Sequence, residues 1–114
     1  MIELLHTPPP SVNNYWQGGG SRRYISKRGV LFKRALALLA KQSKTKLHKG
    51  EVALCIEWHK KDKRKKDIDN ILKPILDALI GVAYFDDSQV VELNVKKIPS
   101  DIECLKIEVK ERII

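Results

Sequence analysis

The sequence predicts a small single-domain α+β protein, a mixed β-sheet of about four strands packed with two main helices, and three observations lead there. A chain of 114 residues holds one modest hydrophobic core and is too short for two. Apolar residues alternate with polar ones in residues 51–59, 90–98 and 104–110, with a short further run at 2–6. Residues 26–44 and 67–80 carry apolar side chains at helical spacing instead. With 43% hydrophobic and 32% charged residues the composition is that of a soluble globular domain. No apolar run approaches the roughly 20 residues that span a bilayer, so no membrane partner is expected. Residues 1–6 lack the charge pattern of a leader, and the expected location is the cytoplasm.

In chain order, residues 2–6 form a short strand. Thr7 to Trp16 form a loop with an aromatic end, because Pro8, Pro9 and Pro10 remove sheet donors. Residues 18–21, Gly-Gly-Gly-Ser, supply a flexible turn, followed by Arg22, Arg23 and Tyr24, two cations beside a ring. In the first helix Leu31, Phe32, Ala35, Leu36, Leu38 and Leu39 face a core, and residues 43–50 return to a loop. The strand at 51–59 puts Val52, Leu54, Ile56 and Trp58 on one face and Ala53, Cys55 and Glu57 on the other. The second helix begins at Asp67 or Ile68, runs through Ile71, Leu72, Ile75 and Leu79, and stops at Gly81. Pro74 demands a kink near residues 70–73 or a helix that properly starts there. The last two strands, joined by Pro99, Ser100 and Asp101, are expected to pair as an antiparallel hairpin. Cys55 and Cys104 have no CxxC or histidine partner spacing, so both are expected to be buried free thiols.

The chemistry concentrates at one place. Lys60, Lys61, Lys63, Arg64, Lys65 and Lys66 crowd against Asp67-Ile68-Asp69-Asn70, and a second acid pair follows at Asp86-Asp87. With a net charge of +8, the chain is suited to a polyanion, and nucleic acid is the expected partner. The basic run attracts a phosphate backbone, but the neighbouring carboxylates repel it unless a cation lies between. If the strand at residue 90 packs beside the strand ending at His59, then Asp67, Asp69 and Asp87 converge. Their hard oxygens suit Mg²⁺, with Mn²⁺ as a substitute.

Each residue also has a structural reading: Asp67 as a helix cap, and Asp69 as a first-turn acid paired with Lys73. Asp69, Lys73 and Asp77 fall on one polar stripe by i, i+4 steps. Lys73 can steady developing charge, contact a phosphate or moderate repulsion among the acids. His6, His48 and His59 have no ligand spacing, and no P-loop, GxGxxG turn or GxSxG elbow occurs. The alternative to an enzyme is a non-catalytic basic nucleic-acid-binding module.

Three segments carry a family resemblance: Pro9-Pro10-Ser11-Val12-Asn13; Arg64-Lys65-Lys66-Asp67-Ile68-Asp69-Asn70 with Lys73 and Asp77-Ala78-Leu79; and Phe85-Asp86-Asp87-Ser88-Gln89-Val90. In these the chain resembles the RusA family of Holliday junction resolvases. The resemblance implies a homodimer that cuts four-way DNA junctions with Mg²⁺, in recombination and repair. It further implies that Asp67, Asp69 and Asp87 bind the metal and that Lys73 meets the phosphate or transition state. Asp86 is a secondary candidate. Lys60, Lys61, Lys63, Arg64, Lys65, Lys66, Arg22 and Arg23 are then the expected DNA contacts. The chain departs from the family mainly in its glycine-rich residues 17–21 and in a lysine-rich approach to Asp67, and lysine grips phosphate with less bidentate geometry than arginine.

Overall fold

In the computed structural model, which describes residues 1–19 and 23–112, the elements run β1 (Ile2–Leu5), the one-turn helix α1 (Val12–Tyr15), β2 (Trp16–Gln17), β3 (Tyr24–Ile25), α2 (Lys27–Gln42), β4 (Val52–Lys60), α3 (Leu72–Ala78), β5 (Val90–Pro99) and β6 (Cys104–Glu111). Turns of 3₁₀-helix at Ile68–Ile71 and Asp87–Gln89 lead into α3 and β5. The four long strands form one mixed sheet in the order β1-β6-β4-β5, and β2 and β3 form a separate two-stranded ribbon.

The alternation seen in β4 is realised as expected. Val52, Leu54, Ile56 and Trp58 are all buried, beneath Phe32, Leu36 and Ala40 of α2 and Ile75 and Ala78 of α3. Full burial of such side chains contributes about 1.5–3 kcal/mol each, so the central strand anchors the domain. The opposite phase faces outward. Cys55 is therefore exposed, against expectation, whereas Cys104 on β6 is buried, and burial pushes its thiol pKa up; both thiols are free.

The expected hairpin between the last two strands does not form. β5 pairs with β4 in parallel, with Ile56 beside Val95 and Trp58 beside Lys97. β6 pairs with the other edge of β4, antiparallel, with Ile56 beside Ile107 and Trp58 beside Leu105. A direct hairpin would leave an edge of β4, the most continuously buried strand, without a partner; inserting β4 between β5 and β6 satisfies both of its edges. Residues 100–103 cross the end of β4 to make this possible. There the Ser100 amide donates to the Lys60 carbonyl (3.0 Å), and the buried Glu103 carboxylate accepts from the Trp58 indole N–H (2.7 Å) and the Lys61 amide (3.2 Å).

One other segment differs from expectation, and at Pro74 one of the two expected alternatives is realised. The loop after the prolines closes into α1, where the Tyr15 amide donates to the Ser11 carbonyl (2.9 Å), since the last proline lies before the helical turn and removes no donor from it. The second helix opens as 3₁₀ turn and becomes α-helical at Leu72. Pro74 thereby falls in the first turn of α3, where its missing N–H would have had no partner, and the helix escapes the interior penalty. Gly81, at φ 89°, ends the segment and donates its amide to the Tyr84 carbonyl at 2.7 Å.

Candidate active site

α3 and the turn before β5 meet through one lysine. Lys73 Nζ lies 2.9 Å from Asp77 Oδ1, one helical turn on, and 3.5 Å from Asp87 Oδ2. The hydrogen bond to Asp77, then the charges of Asp77 and Asp87, raise the Lys73 pKa against the opposing effect of burial. Tyr84 lies in the same field: burial first, then the charges of Asp87, Asp77 and Asp86, push its phenol well above the ordinary range, and its hydroxyl donates to the Leu76 carbonyl at 2.6 Å. Asp69 makes no ion pair with Lys73 among the described residues, contrary to the expected i, i+4 link. The cause is local: Ile68–Ile71 has the tighter 3₁₀ winding, so positions 69 and 73 do not superpose as they would on a continuous α-helix.

The acid pair before β5 divides its labour. The Asp86 carboxylate caps the turn, accepting from the Ser88 amide (3.2 Å) and from the Ser88 hydroxyl, and these bonds lower its pKa. Gln89 completes a capping box by accepting the Asp86 amide at 3.0 Å. Asp87, one residue on, turns to Lys73 instead. Asp67 occupies the N-cap position of the first 3₁₀ turn, yet its side chain makes no cap hydrogen bond. Asp67 and Asp69 are both exposed. Lys97 on β5 donates to the Lys66 carbonyl at 2.6 Å, which pins the approach to Asp67 against the sheet.

The basic run separates into residues that shape the loop and residues that stay available. Lys60 Nζ donates to the Asp62 and Arg64 carbonyls, and Arg64 pairs with Asp62 (Nη2 to Oδ2, 2.7 Å), whose pKa that guanidinium lowers. Lys61, Lys63, Lys65 and Lys66 make no ion pair among the described residues. A cleft of about 550 Å³ lies here, lined by Lys60, Lys61, Lys63, Lys97, Ser100 and Asp101 among others. Lys97 was not singled out from sequence, because only the parallel register brings it beside the end of β4. Arg23 sits over the Trp16 ring, 5.2 Å from its centroid, and Arg22 lies outside the described residues.

Asp67, Asp69 and Asp87 offer the hard oxygen donors that Mg²⁺ or Mn²⁺ takes. By chemistry they fit the ion. Among the described residues, however, no three His, Cys, Asp or Glu side chains are grouped as a metal cage, and Asp87 is engaged by Lys73. No helix among the described residues is long and apolar enough to cross a membrane.

A one-core α+β fold that carries both a lysine-bridged pair of carboxylates and a polycationic loop has the chemistry of a small endonuclease that works on a phosphate backbone. The chain belongs to the RusA family: the family model described as Endodeoxyribonuclease RusA matches residues 6–110. It is similar to the crossover junction endodeoxyribonuclease of Enterobacteria phage 82, at 36% identity over 80% of this chain and 78% of that one. The protein of the same name from Escherichia coli is 33% identical over the same shares. That of Enterobacteria phage HK97 is 34% identical over 71% of this chain and 68% of its own.

Proposed function

We propose that this chain, acting as one endonuclease domain over residues 1–114, resolves Holliday (four-way) DNA junctions by paired nicks, in recombination and repair in the cytoplasm. The observation that carries the reading is the bridge from Lys73 to Asp77 and Asp87, set in the same domain as a loop in which Lys61, Lys63, Lys65 and Lys66 make no ion pair among the described residues. In this reading Asp67, Asp69 and Asp87 hold Mg²⁺, with Mn²⁺ as a substitute, and Lys73 leaves Asp87 to meet the scissile phosphate. The ion, when bound, supplies charge stabilisation at the phosphate and an activated water. The protein's own share is positional: Asp86 fixes the turn that presents Asp87, and Lys97 fixes the chain that presents Asp67.

Lys61, Lys63, Lys65 and Lys66 contact backbone phosphates, with Arg22 and Arg23, while Lys60 and Arg64 act chiefly by shaping the loop that carries the others. Paired nicks on a two-fold junction call for two sites, hence a homodimer. Support for it comes from β5, a sheet edge on which Val91 and Leu93 are 47% and 40% exposed, a surface a second copy would cover.

The experiment incubates the protein with labelled four-way, forked and linear DNA, with Mg²⁺ and with chelator. Nicks in the four-way substrate that vanish on chelation are expected, and Asp69→Asn is expected to lose cutting while retaining junction binding. Parental-rate cutting by Asp69→Asn would remove Asp69 from the site. Salt-sensitive binding with no nicks in Mg²⁺ would leave the non-catalytic binding module as the function.

A further inference from the structure

Tyr15 is fully buried, and its hydroxyl oxygen is the one buried side-chain polar atom without a hydrogen-bond partner among the described residues. Folded proteins leave few such groups, and each calls for a reason. The ring is held from behind. The Ser26 amide donates to the Tyr15 carbonyl at 2.7 Å, and α2 passes so close at Gly29 that a Cβ there would lie 2.9 Å from Tyr15 Cδ1 and 3.1 Å from its carbonyl oxygen. α1 also packs against α3, the helix that carries Asp77. After burial, the charge of the Asp77 carboxylate, and then its approach to the hydroxyl, push the Tyr15 pKa up to about 12.

Asp77 is the most enclosed acid of the cluster, its side chain 13% exposed, and its counter-charge is Lys73. Lys73 is 46% exposed and already reaches a second acceptor in Asp87. A cation so placed can turn outward, but doing so strips a largely buried carboxylate of its partner, which is costly unless another donor arrives. The Tyr15 hydroxyl is a donor with nothing else to bond.

We infer that Asp77 and Tyr15 are positioning residues for Lys73: Asp77 seats the ammonium between turnovers, and the Tyr15 hydroxyl donates to Asp77 when Lys73 swings to a phosphate. The hydroxyl keeps its proton throughout, and only hydrogen bonds change partners. The inference rests on the nuclease reading above and extends it to residues behind the acids.

The test compares parental protein, Tyr15→Phe, Asp77→Asn and the double variant on a four-way junction in Mg²⁺, measuring single-turnover cutting rate, junction Kd and thermal midpoint. Tyr15→Phe removes a buried oxygen that has no partner at rest, so its midpoint should equal or exceed the parent's and its Kd should match. Its cutting rate should fall about tenfold, the effect of one hydrogen bond to a charged acceptor. In the Asp77→Asn background, where no buried charge awaits a donor, the same change should cost less than twofold. A parent that cuts and a Tyr15→Phe variant that cuts equally fast overturns the seat alone. A slow Tyr15→Phe that also melts early or binds junction weakly overturns it too, since a packing role explains both. A parent that never cuts overturns the nuclease reading and the seat together.

Discussion

Replacing Gly29 with alanine tests how tightly α2 clamps the floor of the site. A Cβ at this position would stand 2.7 Å from Ile25 Cγ2, 2.9 Å from Tyr15 Cδ1 and 3.1 Å from the Tyr15 carbonyl oxygen. Two of these are closer than carbon atoms approach in real structures, and the third is backbone that α1 holds in place. Tyr15 has no exposed surface and no room to retreat. Overpacking of this kind costs about 1–3 kcal/mol. Alanine recovers up to about 1 kcal/mol of helix propensity, less in a first turn, where Gly29 sits with its amide bonded to the Ser26 side chain at 3.0 Å. The balance is a net loss of about 1–2 kcal/mol, or a fall of roughly 4–10 °C in thermal midpoint for a domain of this size. Gly50, where an added Cβ meets nothing within 4 Å, is the control, and Gly50→Ala should be neutral or slightly stabilising. Thermal and urea unfolding read both. A Gly29→Ala protein as stable as the parent would refute the packing argument and with it the claim that Tyr15 is rigidly held.

Three further outcomes follow from the geometry. Asp86→Ala should lower the thermal midpoint modestly by uncapping the turn while leaving detectable junction cutting, whereas Asp87→Ala should abolish cutting; equal losses of activity would merge their roles. At alkaline pH, Tyr15 ionises near 10.0 in the unfolded chain but near 12 in the folded one, so its contribution is intact below pH 10 and is lost as pH rises through 12. The total is about 2–3 kcal/mol, half of it developed by pH 11, and urea titrations at pH 8 and 11 should find Tyr15→Phe less sensitive than the parent. Finally, Leu93→Lys on the β5 edge should shift the protein toward monomer in sedimentation without lowering its thermal midpoint, and an unchanged mass would place any dimer contact elsewhere.

The local rules were legible in the residues. Val52 to Trp58 alternate and are buried in that phase, and a late start of the second helix was one of the two outcomes Pro74 demanded. The acids and Lys73 could be named because a cationic run beside paired carboxylates is unusual enough to demand a chemical reason. Strand partners could not be read in the same way, because alternation fixes which face of a strand is buried but says nothing about which edge lies beside it. That is why the β5–β6 hairpin was expected and β4 stands between them instead. The 3₁₀ winding that separates Asp69 from Lys73, and the buried, unpartnered oxygen of Tyr15, likewise have no signature in spacing.

By itself, then, the sequence determined the phase of the central strand and the make-up of the basic loop and named the acids as candidates, since these depend on side-chain chemistry and short-range periodicity; Leu31 and Leu38, expected to face the core, are exposed. The tertiary structure alone decided that Asp86 would cap and Asp87 would face Lys73, that Lys97 would brace the approach to Asp67, and that Tyr15 would be buried with its hydroxyl unpartnered. Those outcomes depend on contacts between segments far apart in the chain, formed only when β4 takes β5 and β6 on its two edges and the helices close over one face.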